Sequence, residues 1–85
     1  MPRNLPEWVL TARQELAHRI ARLRREAGHP QDRFAQHIGL DRRTYQRIEA
    51  GTADPTYGAL LLIAAGLDLT VPELVGTPPP TPPKE

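Results

Sequence analysis

Apolar residues recur at helical spacing along the first third of the chain. Over residues 16–27 they follow one another at steps of four, three and four, at Leu16, Ile20, Leu23 and Ala27. This spacing places them on one face of a helix with about 3.6 residues per turn. Asn4 and Glu7 stand three residues apart, as in a capping box, so we expect the first helix to begin near residue 5 and to end at Gly28.

Shorter apolar segments follow, each bounded by residues that favour turns or helix caps. A pattern from Phe34 to Ile38 stops at Gly39 and predicts a short second helix. Asp41 can cap a third helix, because its carboxylate can accept a hydrogen bond from a free backbone N–H of the first turn. Gly51 would end this third helix in a left-handed conformation.

Two further helices are predicted before residue 76. Thr56 is a candidate cap for a fourth helix, which carries Leu60, Leu61, Ile63 and Ala64. Thr70 and Glu73 have the spacing of a capping box at the start of a short fifth helix. The pattern therefore predicts an all-α fold of five helices with no strand.

Composition limits the size of the fold and divides its charge. A chain of 85 residues without cysteine supports one small domain, and it has no disulfide or thiolate metal site to reinforce the core. The net charge is +1, but residues 13–47 carry nine Arg and four acids (+5), whereas residues 48–85 carry five acids and one Lys (−4). A basic segment indicates either a polyanion partner or a solvated helix face, and charge alone leaves both open.

Four hydrogen-bonding side chains cluster on the predicted third helix. On a helix over residues 42–50 they fall within about 140° of one another; they are Arg42, Arg43, Gln46 and Arg47. Tyr45 and Ile48 fall on the opposite side, where they can face the core. The short turn Gly39-Leu40-Asp41 joins this helix to the second one, which is the arrangement of a helix-turn-helix.

The segments around this turn resemble the lambda-repressor-like, Cro-type (xenobiotic-response-element) helix-turn-helix family over residues 16–75. The matching elements, in order, are IARLRREAG, Gln31, Ala35 with Gly39, IEAG, DPT and LTVPELV. The resemblance divides the chain into an N-terminal helical extension (1–15), a helix-turn-helix domain (16–75) and a proline-rich tail (76–85). We expect the tail to be extended and disordered, with a docking site for a proline-recognising domain as the alternative.

The resemblance implies that the third helix enters the DNA major groove. Arg42 and Arg43 would then each contact a guanine, and Arg47 would reach a base or a phosphate. Gln46 would pair with adenine or with a backbone oxygen. Two further residues are candidate phosphate contacts, Gln31 at the start of the second helix and, as a weaker candidate, Thr52.

The resemblance also implies a structural ion pair between Arg24 and Glu49, which would hold the reading helix at a fixed angle to the first helix. The alternative is two separate solvated charges. The chain departs from the family pattern at Pro30, which has no capping oxygen, at Tyr45, whose hydroxyl needs a partner, and at Asp68, which replaces a glycine.

Large apolar side chains stand at two positions that the family pattern does not require. Leu62 replaces a usually charged residue, and Trp8 leads the segment Trp8-Val9-Leu10 ahead of the shared region. Exposed hydrophobic residues on a small domain indicate a dimer or partner surface. The alternative is that the N-terminal segment folds back and covers them.

These observations predict a sequence-specific, double-stranded DNA-binding transcriptional regulator that acts as a homodimer on a pseudo-palindromic operator. The alternative is an antitoxin-type or other protein-interaction module on the same fold, which could also repress its own operator. We expect no enzyme activity, because no nucleophilic triad, carboxylate pair or phosphate loop is present.

The sequence also indicates what the protein lacks. The spacings of His18, His29 and His37 place no two of them on one helical face within a turn, so we expect no metal or other cofactor. No signal peptide or apolar run long enough to span a membrane is present. We therefore expect a cytoplasmic, nucleoid-associated protein without membrane contact.

Overall fold

The computed structural model describes residues 4–76 and residue 82. These residues form five helices and no strand: α1 (Glu7–Glu26), α2 (Gln31–Ile38), α3 (Arg42–Ala50), α4 (Tyr57–Gly66) and α5 (Val71–Val75). The prediction of an all-α, five-helix fold with an extended first helix is confirmed. The expected disordered tail, apart from Gly76 and residue 82, lies outside the described residues.

Helix α1 begins later than its sequence predicts. Its N-cap is Pro6, with ψ 151° and no side-chain capping hydrogen bond, so the predicted capping box of Asn4 and Glu7 is wrong. The reason is that a residue before proline is disfavoured in the helical region, which favours a helix that begins after Pro6. From Glu7 onward α1 runs without a break for 20 residues, so the N-terminal segment 7–15 is part of the same helix.

The three other predicted caps are confirmed. The Asp41 carboxylate accepts a hydrogen bond from the Thr44 N–H at 3.1 Å, and the Thr56 hydroxyl accepts one from the Ala59 N–H at 3.0 Å. Thr70 and Glu73 form both hydrogen bonds of a capping box. These interactions satisfy backbone donors that a helix start would otherwise leave free.

Left-handed glycines end α2 and α3. Gly39 ends α2 with φ +82°, and Gly51 ends α3 with φ +77°. At positive φ the Cβ atom of any other residue would crowd the adjacent backbone, and glycine has no Cβ atom. Asp68 also has a positive φ, 59°, as expected for a position where the family pattern has glycine.

Each helix contributes one fully buried large side chain to a common core. These are Ile20, Phe34, Tyr45, Ile63 and Leu74, all with 0% exposure. The Phe34 and Tyr45 rings meet edge to face, with centroids 5.6 Å apart, an arrangement that aromatic pairs favour. Through this core α3 packs against both α1 and α2, so its orientation is set by two neighbours.

None of the helices among the described residues combines the length and the apolar character needed to cross a membrane.

Candidate nucleic-acid interface

Helix α3 separates a buried side from an exposed side. Tyr45 and Ile48 are buried in the core, as predicted. The opposite side carries four exposed hydrogen-bonding side chains, which we call the donor face: Arg42, Arg43, Gln46 and Arg47. Three guanidinium groups and one amide on a single short helix present donors suited to guanine edges, adenine edges or phosphate oxygens.

The first turn of α3 borders a shallow polar groove lined by Asp41, Arg42, Arg43 and Gln46. The Arg42 guanidinium lies 3.5 Å from the Asp32 carboxylate, and both side chains are more than half exposed. A pair of this kind contributes little to stability, since water solvates both charges well. The Arg42 side chain can therefore leave Asp32 for another acceptor at small cost.

A nearly dry ion pair fixes α3 against α1. The Arg24 Nε and Nη2 atoms lie 2.6 and 3.1 Å from the two Glu49 carboxylate oxygens. Their side chains are 10% and 5% exposed. The remaining Arg24 nitrogen, Nη1, donates to the His29 carbonyl at 2.8 Å. One guanidinium group thus joins α1, α3 and the α1–α2 loop, in the forked geometry that arginine favours with carboxylates.

Two more side chains donate to the same carboxylate. The Tyr45 hydroxyl donates to Glu49 Oε2, and the Gln31 amide donates to Oε1 at 3.0 Å. The tyrosine hydroxyl, which had no evident partner in the sequence, is thereby satisfied. Together with the ion pair these contacts define the Glu49 cluster: Arg24, Gln31, Tyr45 and Glu49.

The cluster keeps Glu49 ionised. Burial alone would raise the pKa of the Glu49 carboxyl, but hydrogen bonds from Arg24, Tyr45 and Gln31 outweigh burial and hold this pKa below its usual value. Burial raises the pKa of the Tyr45 hydroxyl far above its usual value, so this group stays neutral. The hydrogen bonds to Glu49 raise the pKa of Arg24.

The two candidate phosphate contacts flank the donor face. Gln31 is half-buried at the first position of α2, and its bond to Glu49 leaves one amide hydrogen and the amide oxygen for another partner. Thr52 is exposed just after α3, where its hydroxyl donates to the Arg47 carbonyl at 3.3 Å. No sequence signal pointed to the Gln31–Glu49 contact, because the two residues lie on different helices.

Arg13 is a further residue beside α3 that the sequence pattern does not indicate. Its Nε donates to the Gly51 carbonyl at 2.9 Å, and its Nη1 lies 3.4 Å from the Asp54 carboxylate. Gln14 packs over Gly51, so that any side chain at Gly51 would collide with it. The first half of α1 therefore braces the end of α3 across a separation of 38 residues, which local patterns do not indicate.

Apolar side chains are exposed on α4 and at the start of α1. Leu62 is 41% exposed, and Leu61 and Tyr57 on the same helix are more exposed. Trp8 is half-buried and Leu10 is exposed, both within the first turn of α1. In the described residues the N-terminal segment from Glu7 is part of α1, and it leaves Leu10 exposed and Trp8 partly covered.

Two of the three histidines lie close together in the fold. His29 and His37 stack with ring centroids 6.4 Å apart, because His29 lies in the loop that leads into α2. The sequence spacing did not indicate this proximity. No group of three or more potential metal-ligating residues is present within residues 4–76.

Comparisons with known proteins agree with this architecture. Residues 15–75 match the family model described as a helix-turn-helix domain. No curated protein matches the chain. Among solved structures, the chain is similar to the crystal structure of a hypothetical transcription factor, NHTF, from Neisseria. The two have 26% sequence identity and a TM-score of 0.73, and the match covers 92% of this chain and 88% of the other.

Proposed function

The chain belongs to the helix-turn-helix domain family, in its lambda-repressor-like branch, and we propose from this that it is a sequence-specific transcriptional regulator that reads double-stranded DNA with α3. The similarity to a hypothetical transcription factor supports a regulatory role. In this fold the second helix of the motif enters the major groove, and the first crosses the phosphate backbone. These two helices are α3 and α2.

The observation that carries the proposal is the donor face, held rigidly by the Glu49 cluster behind it. Arg42 and Arg43 lie in the first turn of α3, which is the part of a reading helix that reaches base edges. A fork of two N–H donors matches guanine O6 and N7. Because Glu49 joins α3 to α1 through a dry ion pair, these arginines are presented at a defined angle.

The remaining residues have roles that follow from their positions. Gln46 and Arg47 continue the donor face one turn later and reach a base or a phosphate. Gln31, with its free amide hydrogen at the start of α2, and Thr52 after α3 contact phosphates and position the protein without reading sequence. Arg24 and Glu49 act on binding through the orientation of α3.

We propose that the active species is a homodimer formed through α4. This helix has apolar residues on all sides, yet Tyr57, Leu61 and Leu62 are exposed. A helix without a polar face is normally covered on every side. A two-fold dimer would cover this surface and present two α3 helices to a pseudo-palindromic operator, with half-sites about 34 Å apart.

The test is selection of bound duplexes from a randomised pool, followed by affinity measurements on the enriched sequence. We expect enrichment of a two-fold symmetric site, with guanines in each half. Arg22→Ala is the matched control for Arg42→Ala, because Arg22 is an exposed arginine on α1 paired with Glu26 and away from the donor face. Failure to enrich any duplex would overturn the proposal.

The exposed α4 surface favours a second candidate function. An antitoxin-type or other protein-interaction module would use Tyr57, Leu61 and Leu62 to bind a different protein. Such a module has no need for three exposed arginines on α3, so the donor face favours DNA binding. A chain that enriches no duplex, yet forms a stable complex with a purified partner, would support this second candidate.

A further inference from the structure

A second groove runs along α1 beside the reading helix. We call it the α1–α3 groove; it is lined by His18, Ala21 and Arg25 from α1, by Gln46 and Ala50 from α3, and by Gln31. Its volume is about 460 Å³ and it is open to solvent along its length. None of the three α1 residues belongs to the donor face or to the Glu49 cluster.

The charge available in this groove is positive. Arg25 is exposed, and none of the ion pairs formed by the described residues involves it, whereas its neighbour Arg22 pairs with Glu26 at 3.1 Å. The acidic residue that lines the groove is Glu49, and its carboxylate is already occupied by Arg24, Tyr45 and Gln31. Arg25 therefore offers an unneutralised guanidinium in the same groove as the unused amide hydrogen of Gln31.

The groove is continuous with the base-reading surface. Gln46 lines both the α1–α3 groove and the groove at the first turn of α3. A helix with its side chains is about 10–12 Å wide, and the major groove is about 12 Å wide. A helix that fills the major groove brings the elements beside it against the rows of phosphates on the groove's edges.

We infer that the α1–α3 groove holds the sugar-phosphate backbone of the same duplex that α3 reads, with Arg25 donating to a phosphate beside Gln31. The inference rests on the proposed function, since it places the duplex against α3. The His18 ring, which lies along the same groove, adds a further donor toward the backbone. Helix α1 is then a direct DNA contact as well as a brace.

The experiment compares Arg25→Gln with Arg22→Gln in the full chain. Both variants lose one positive charge from an exposed arginine of α1, and Arg22 does not line the groove. Affinities for a selected operator and for a random duplex are measured by fluorescence anisotropy at several salt concentrations. Each phosphate contact on B-DNA contributes about 0.9 to the slope of log K against log salt.

For Arg25→Gln we expect the slope of log K against log salt to be smaller in magnitude by about 0.9. The ratio of the parent's affinity to the variant's affinity then falls about 3.5-fold between 50 and 200 mM salt. The loss should be the same on operator and on random duplex, because a phosphate contact carries no sequence information. Arg22→Gln should keep the parent slope, and Arg25→Lys should restore it. Unchanged thermal melts establish that both variants fold.

An Arg25→Gln slope equal to that of Arg22→Gln would overturn the inference. A change in base preference in Arg25→Gln would also overturn it, because it would place Arg25 on a base edge. Failure of the proposed function would give a different result. Arg42→Ala and Arg43→Ala would then bind the operator as tightly as the parent, whatever the salt dependence of Arg25→Gln.

Discussion

At the residue scale, the orientation of α3 depends on the Glu49 cluster. Three side chains, one each from α1, α2 and α3, converge on the Glu49 carboxylate, and one of them, Tyr45, lies one turn before Glu49 on α3 itself. A nearly dry ion pair of this kind is costly to break from one side, since the remaining charge stays buried without a partner. The cluster thus ties the stability of the fold to the angle at which the donor face is presented.

Removing one partner of the pair should show this coupling. We expect Glu49→Ala to lower the free energy of unfolding by about 3–5 kcal/mol, because Arg24 would remain buried and unpaired. Glu26→Ala is the matched control, since it breaks the exposed pair with Arg22 and should cost under about 1 kcal/mol. Urea unfolding of Glu49→Ala, Arg24→Ala and the double variant measures the coupling, and purely additive losses would contradict it.

The same carboxylate should make stability depend on pH. Because the folded state holds the pKa of Glu49 below its usual value of 4.5, the unfolded chain binds a proton at this group more readily. The stabilisation is therefore fully present above about pH 4.5 and is lost as pH falls through the lower, folded-state pKa. Thermal melts between pH 6 and pH 3 should show a steeper acid loss in the parent than in Glu49→Gln. Equal acid losses in the parent and in Glu49→Gln would contradict the lowered pKa of Glu49.

At the element scale, the sequence predicted contacts between residues close together in the chain and missed contacts between distant residues. Asp41, Thr56 and Thr70 cap helices through contacts within three residues, and local pattern was enough to identify them. The predicted start of α1 was wrong because Pro6 disfavours a helical conformation at Leu5, and this effect outweighed the capping pattern of Asn4 and Glu7.

Contacts between helices were predictable to a smaller extent. The Arg13–Gly51 brace and the approach of Gln31 to Glu49 join residues on different helices, and each depends on packing that single-sequence spacing does not encode. The proximity of Arg24 and Glu49 was available through family resemblance alone. The donor face could be placed from spacing, because all four of its residues lie on one helix.

The contact between α4 and α2 is close enough to require glycine at one position. A Cβ at Gly66 would collide with Ile38 and would come within 3.1 Å of the Phe34 ring. At Gly58, on the same helix, the nearest atom to a Cβ is the Thr56 hydroxyl at 3.8 Å. The two glycines of α4 therefore form a matched pair for testing how tightly the helices pack.

We expect opposite effects from alanine at these two glycines. Gly66→Ala should destabilise the fold by about 1–3 kcal/mol through overpacking, despite the better helix propensity of alanine. Gly58→Ala should stabilise it by roughly 0.5–1 kcal/mol, because it gains propensity without a clash. Chemical denaturation of both variants provides the measurement. Equal stabilisation by both substitutions would mean that α2 and α4 are further apart than described.

At the scale of the whole molecule, the positive charge lies on one part of the chain, and the negative charge and the exposed apolar residues of α4 lie on another. Residues 13–47 carry the net positive charge, whereas the segment from residue 48 onward is acidic and contains the exposed apolar residues of α4. This division supports the proposals that α1–α3 face DNA and that α4 faces a second copy of the chain.

Self-association through α4 should be sensitive to one added charge. We expect the parent to sediment at about twice the chain mass of 9.5 kDa, and Leu62→Glu to shift it to the monomer by placing a carboxylate in the interface. Gln36→Glu adds the same charge at an exposed polar position of α2 and should leave the mass unchanged. A parent that is monomeric at high concentration, and binds a half-site one to one, would contradict the dimer.

The central claim is that α3 reads bases through the donor face. The most direct measurement replaces each base pair of the selected operator in turn and compares the affinity profiles of the parent and Arg43→Ala. We expect the variant to lose about 1–3 kcal/mol of discrimination at one guanine in each half-site, with the other positions unchanged. A variant that keeps the parent's preference at every position would contradict the placement of α3 in the major groove.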